Sequence, residues 1–550
     1  MAGQSAADLV RRADELEAQK YNWSNLAQVC AKYCIPSKAK ITEIREEGSR
    51  VHSEIYNSTP IEAAQIAAAG LQSFLASGKY FALEFENPEL NDDNEAYDWL
   101  QEEQEGIYDV MNNSNFDSKI GEVFRDLVVL PGATMYSEPD PDSIIHFETI
   151  PFQEVLIAVN SRGIVDELHR VFEYTVKQAY DRWGENCGPQ ISELYRKGKL
   201  SEKFQFQHSV AKRYERTIGK RDSKNMPYYS CYVLRGKKKK IEEKGYIDFP
   251  YVVGRWSTIT GETWAYTPAS IGIADILMLN NMDMTVLMAG QQATSPAWLF
   301  PDENFVAPLN MNPFAINYRI PNPAGKTASE KDPIPLVSTS NMQIGLELLQ
   351  AREERIKRFF FVDLFLPLLE KQATAYEVAK TIEKKMGILG AVIGGITKNV
   401  LGPSINRARL IRRQHPSLQG KLSPIPDIIK DGERVKTNYI SPLVLAQKAS
   451  QQQNTEAFLY SVAQMMQVNP QVRHKIKWDV AIDKDAKNRA IDMDILTTEA
   501  EYQELVQAEN QAQADANALA MTQAAGTAMK NVGEGGKALM PEQKKESKKK

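Results

Sequence analysis

The chain has 550 residues, 43% hydrophobic and 25% charged, enough to bury a large core and to build about three or four structural units. Its formal charge of −5 excludes a protein that grips duplex DNA, which needs a basic surface to replace counterions; a conduit through which DNA slides is not excluded. Four cysteines, Cys30, Cys34, Cys187 and Cys231, fit a reducing compartment and exclude a disulfide framework.

Residues 1–35 read as a helix with Leu26, Val29, Cys30 and Cys34 on one face. Cys30 and Cys34 have the spacing of two metal ligands, but no second Cys or His pair completes a set, so core packing is expected. The start has no basic segment followed by an apolar one, so no signal peptide is expected. An alanine-rich helix runs from Thr59-Pro60 to Ser77. Two more lie within 92–130, with Ser114 or Asn115 as cap of the second. Glu138-Pro-Asp-Pro-Asp142 clusters carboxylates, yet its prolines make a turn, and no Gly separates the residues as a calcium loop requires.

The period then changes to two. Ile144–Ile150, Val155–Val159, Val165–Phe172, 204–216 and 228–256 read as strands joined by turns. Arg235-Gly-Lys-Lys-Lys-Lys240 is a basic hairpin tip: a contact for DNA or an acidic neighbour, or a solvated turn. Thr267-Pro268 opens a helix, hydroxyl at the cap and proline in the first turn, reaching about Gln292. Prolines at 296, 301, 308, 313, 321, 323, 333 and 335 rule out a long helix in the next forty-odd residues. Gly325-Lys326-Thr327 in that insert lacks the earlier glycine and the flanking strand and helix of a phosphate-cradling loop. Met342, Leu346, Leu349, Ile356 and Phe360 mark a second helix on a near-heptad seam, with Glu353 its polar position.

An apolar segment broken by Pro367 follows. Thr374-Ala-Tyr-Glu377 then has the form of a capping box and opens a helix that can run to about Leu401. After Pro403, Arg407, Arg409, Arg412 and Arg413 form a basic helix end. Helices are expected across 440–495. From Thr498-Glu-Ala-Glu501 an Ala/Gln-rich helix runs to about Lys530, with the thin apolar face Leu505, Ala508, Ala512 and Leu519. That face suits parallel copies packed side by side, or else a frayed tail. The lysine- and glycine-rich stretch 531–550 is expected to be disordered. No window approaches a membrane span; the nearest, Met386 to Val400, holds four glycines and Lys398. Six scattered histidines and the lack of a Gly-x-Ser-x-Gly elbow leave no catalytic constellation, so no enzyme, cofactor or metal is expected.

Two helices around an irregular insert, then an apolar segment and a long helix, resemble the portal (head-to-tail connector) of short-tailed, podovirus-type phages. Gly261-Glu-Thr-Trp-Ala-Tyr-Thr-Pro268, Thr374-Ala-Tyr-Glu377 and Gly394-Gly395 carry the likeness, together with the order of elements over roughly 20–530. The resemblance implies a mainly helical α+β subunit assembled as a ring, twelve copies by the geometry of its helices. It implies a wing (1–266), stem helices (267–292 and 339–360), a clip (293–338), a channel loop (361–373), a wing helix and return (374–438), a crown (439–497), a barrel helix (498–530) and a tail (531–550). It places Leu364, Phe365, Leu366, Leu368, Leu369 and Lys371 in the channel loop, and Arg355 and Lys357 on the stem facing DNA. The implied partners are double-stranded DNA passing without sequence preference, the terminase large subunit, the major capsid and scaffold proteins, and tail adaptors, with no membrane. The protein would be made in the host cytoplasm and end in the virion at one capsid vertex. A packaging motor is disfavoured by the missing nucleotide loop. A scaffold or internal virion protein would not need the strands or the proline-rich insert.

Overall fold

The structure is a computed structural model that describes residues 5–46, 48–91, 93–217, 219–220, 222–295, 297–301, 310, 312, 315–319, 334–335, 342–369, 390, 392–429, 434–439, 508, 511 and 521. The chain divides into two units, Met1–Gln447 and Lys448–Lys550. In the second, Ala508, Gln511 and Met521 are helical and exposed. The crown beyond Tyr439, the tail, most of the barrel helix, Gly325–Thr327 and the Thr374–Glu377 box lie outside the described residues.

The first unit begins with α1 (Ala6–Cys34), where Ser5 and Asp8 cap each other reciprocally. Cys30 and Cys34 are fully buried in the core, and burial pushes the Cys30 thiol up to about 12. Next come α2 (Thr59–Leu75), β1 (Phe81–Phe85), α3 (Pro88–Asn91), α4 (Asn94–Asn112) and α5 (Phe116–Val129). Asn115 is the cap position of α5, but its amide pairs with both main-chain groups of Phe147 while the Ser114 hydroxyl accepts from Phe116 N–H.

Strands follow: β2 (Ala133–Asp140), β3 (Ile144–Ile150), β4 (Val155–Val159) and β5 (Val165–Thr175). The 138–142 carboxylate cluster forms the end of β2 and the β2–β3 turn, where Asp140 accepts from Ser143 N–H and Oγ–H. Helices α6 (Val176–Trp183) and α7 (Pro189–Arg196), absent from the sequence reading, come before β6 (Lys203–Lys212), β7 (Tyr228–Leu234), β8 (Lys239–Tyr246) and β9 (Tyr251–Gly254). Strands β4 to β8 make a five-stranded antiparallel meander, and β3-β2-β9 a second sheet. α6 and α7 sit on a small core of their own with Phe172, Trp183, Phe206 and Tyr232.

The β10–β11 ladder (Ser257–Thr258, Ala265–Tyr266) leads into α8 (Pro268–Thr294). Strands β12 (Trp298–Pro301), β13 (Ile316–Arg319) and β14 (Ile334–Pro335) form a small sheet in the proline-rich insert. Then come α9 (Met342–Phe359), α10 (Val362–Leu369), helical residues 392–396, a π-turn Thr397–Leu401, α11 (Gly402–Gln414) and β15 (Val435–Tyr439). The helix does not stop at Leu401. The wider π-turn precedes Pro403, which sits in the first turn of α11 with room for its ring, and the helical path continues. Strand β15 returns to pair antiparallel with β1, Phe81 opposite Tyr439.

One large core joins the second half of α1, α2, α4, α5, the β2–β3–β9 sheet, α8 to α11 and the π-turn. Helix α8, not 386–400, is the described helix long and apolar enough to cross a membrane by length and composition. Three of its polar residues, Asp275, Asn280 and Asp283, nonetheless bond other elements of the protein.

Candidate functional site

The helical hairpin formed by α8 and α9 carries the residues singled out by the sequence. Thr267 starts α8 with a reciprocal cap: Ser270 N–H donates to Thr267 Oγ1 (3.1 Å) while Thr267 N–H donates to Ser270 Oγ (2.7 Å). The Thr267 hydroxyl also donates to the Val129 carbonyl (3.1 Å), fastening the helix start to the end of α5. The two helices close on each other through Gly272 against the Phe359 ring and Gly345 against Val286. Asp275 adds charge pairing, bonded to Arg352 and 3.5 Å from Arg355.

That closure leaves apolar side chains outside. Ile271 and Met278, two turns apart, are 57% and 46% exposed, and Leu346 and Leu348 on α9 are 48% and 52% exposed. Leu287 and Met288 stand out near the far end of α8. Asn280, by contrast, is buried in the middle of an apolar helix, its amide satisfied by the main chain of residues 54–56. Sequence reasoning missed this residue; polar Asp275, Asn280 and Asp283 inside an apolar run were the available signal.

Arg355 keeps 60% of its side chain exposed beside Asp275, and Lys357 is half-buried. The segment expected as a loop over 361–373 is helix α10 for eight of its residues. Leu364 and Phe365 are core residues, 6% and 2% exposed, which corrects their assignment to a channel surface. The reason lies in a helix far off in sequence: Gly70 in α2 has no side chain, and the Phe365 ring fills the space where a Cβ would overlap it. Phe361, in the left-handed region at φ 57°, makes the tight turn from α9 and stacks on Trp256. Leu366 is 37% exposed and remains available at the surface. Leu368 and Leu369 lie in α10 with side chains outside the described residues, and Lys371 lies outside them altogether.

The basic tip at 235–240 is part of the body. Arg235 is largely buried and pairs with Asp14 and Glu17 of α1, Lys240 pairs with Glu243 at 2.9 Å, and Lys237 to Lys239 are exposed. On α11, Arg412 and Arg413 reach the buried Glu103 of α4 at 3.2 and 2.5 Å, with Arg409 at 3.9 Å, so these arginines join two helices. Among the described residues no group of three or more His, Cys, Asp or Glu has the arrangement of a metal centre.

Comparison with known proteins gives a consistent picture. A family described as "Bacteriophage head to tail connecting protein" matches residues 6–496. The "Probable portal protein" of Bordetella phage BPP-1 is 25% identical over 500 residues, covering 89% of this chain and 88% of that protein. The "Portal protein" of Salmonella phage epsilon15 is 25% identical over 495 residues, covering 88% and 87%. A solved structure, "Virion of native gene transfer agent (GTA) particle", covers 77% of this chain and 92% of its own at 11% identity, with a TM-score of 0.33 that is too low to carry an argument.

Proposed function

The chain belongs to the bacteriophage head-to-tail connecting protein family, and from that premise we propose that copies of it form a closed ring through which the genome enters the capsid and later leaves. As a member of that family it is a structural component of the virion at the capsid vertex, a head–tail connector rather than an enzyme. Its role implies capsid and tail partners and assembly into a ring. The finer reading is ours: a stem made of α8 and α9, a clip at 293–338 where the terminase ATPase docks, and tail adaptors bound after packaging. Scaffold protein would assist assembly, and synthesis would take place in the host cytoplasm.

The observation that supports this best is the exposed apolar surface on both hairpin helices while their facing sides are already packed. Such a surface is what subunits bury when they meet head to tail, and head-to-tail contacts make rings when the rotation between neighbours closes. Twelve helices spaced about 9–10 Å apart give a ring about 36 Å across between axes. Removing a helix width of about 10 Å leaves roughly 26 Å, room for a duplex about 20 Å wide. Six copies leave only about 9 Å by the same estimate. Arg355 and Lys357 would meet phosphates weakly and without base contacts, and Leu366 would face the passage.

Electron micrographs and native mass spectrometry of the purified full chain test the ring. Ring particles with a central hole, near twelve subunits, are expected. A monomer or dimer at micromolar concentration would overturn the reading, whereas a ring with one subunit more or fewer agrees with it.

A further inference from the structure

The loop between α1 and α2 touches both hairpin helices within four residues. Its first hold is on α8: the buried Asn280 accepts from Tyr56 N–H at 2.8 Å and donates to the Glu54 carbonyl at 3.0 Å, as a neighbouring strand would. Its second hold spans both helices. Asn57 Nδ2 donates to Asp283 Oδ2 of α8 at 3.1 Å and to Glu353 Oε1 of α9 at 3.0 Å. The other end of the same amide, Oδ1, accepts from Thr59 N–H at 2.8 Å and so begins α2. Glu54 is tied back to Lys32 of α1.

We propose that residues 54–57 are a clasp that sets the angle at which the α8–α9 hairpin leaves the helical body, with the Asn57 amide holding Asp283 and Glu353 together. The argument is electrostatic. Asp275 meets the cations Arg352 and Arg355, so that part of the hairpin is drawn together. Asp283 and Glu353 have no ion pair among the described residues, and both lie within reach of one nitrogen. Two carboxylates that close repel, and a neutral donor shared between them offsets the repulsion without removing it. The contact therefore holds the hairpin while remaining easy to open. In the ring reading, on which only its use rests, the clasp fixes how wide the hairpins stand around the passage.

Hydrogen exchange measured by mass spectrometry on the full chain decides this, comparing peptides from 268–294 and 342–359 with α4 as internal control. Asn57→Asp puts a third carboxylate at the contact and should speed exchange in both hairpin helices about five-fold, roughly one hydrogen bond's worth. Adding Glu353→Gln to that variant should restore it, because the new amide donates where a charge repelled. Glu353→Gln alone should slow exchange below wild type. Unchanged exchange in Asn57→Asp, or no rescue by the second change, would overturn the clasp and reduce Asn57 to a cap for α2. If Asn57→Asp does not fold, Glu353→Gln alone decides: slower exchange supports the clasp, and no change sinks it. Exchange reads the clasp in free or assembled protein, so absence of a ring would refute the function above without touching this result.

Discussion

Lys20 is an amine enclosed by protein, 3% exposed, whose hydrogen bonds go to the carbonyls of Phe152 and Val155 rather than to a carboxylate. The Phe152 and Trp264 rings face its nitrogen at 3.9 and 5.0 Å, so it joins α1 to the turn before β4 and to the segment preceding α8. Burial pushes it down from 10.5 to about 7, with Glu17 opposing weakly. Between about 7 and 10.5 the unfolded chain keeps a proton that the folded chain gives up. Stability from this group is therefore complete above that window and is lost as pH falls through it, by up to about 1.4 kcal/mol per pH unit. Urea unfolding at pH 7 and pH 9 should show wild type gaining up to about 2–3 kcal/mol relative to Lys20→Met over that interval. Equal pH dependence in the two proteins would refute it. None of this is legible in the sequence, where Lys20 is one lysine on a charged helix. The fate of Cys30 and Cys34 was legible, because a metal site needs partners that the chain does not supply at matching spacing.

At the scale of elements, what could be read depended on how local the cause was. The Thr267 cap of α8, the apolar, β-branched and aromatic runs of β3 to β7 and the proline-rich break after α8 are written within a few residues of where they act. The β1–β15 pairing was not readable, since Phe81 and Tyr439 carry no mark of one another across the chain. The 361–373 segment failed for a related reason: an apolar run reads alike whether it lines a passage or fills a core, and Gly70 in a distant helix decides. Gly70→Val should therefore force the Phe365 ring aside and cost about 1–3 kcal/mol by overpacking. Phe365→Ser should cost about 3–5 kcal/mol through lost burial and an added hydroxyl. Leu366→Ser, at an exposed position, should stay within about 0.5 kcal/mol. Chemical unfolding of the three variants checks the order, and a costly Leu366→Ser beside a harmless Phe365→Ser would reverse the core assignment.

For the whole molecule, a single chain is a poor place to end the hydrophobic accounting. The hairpin helices bury one side against each other and leave Ile271, Met278, Leu346 and Leu348 in solvent, which makes sense for a subunit whose surface is finished by its neighbours. Sequence periodicity cannot separate that surface from the core, because both are apolar at helical spacing; only the packed chain tells which positions are left over. Paired substitution of Ile271→Glu and Met278→Glu separates assembly from folding. Both side chains are already exposed, so the isolated subunit should lose no more than about 0.5 kcal/mol per site and keep its helix content. In an assembled ring the same carboxylates would be carried into an apolar contact without partners, at several kcal/mol for each subunit, and closed rings should be lost. Native mass spectrometry should then return monomers or short open oligomers while the thermal transition of the subunit stays within a few degrees of wild type. Full rings from the doubly charged variant would mean that copies meet through some other surface, and the hairpin could then not be the wall of the passage.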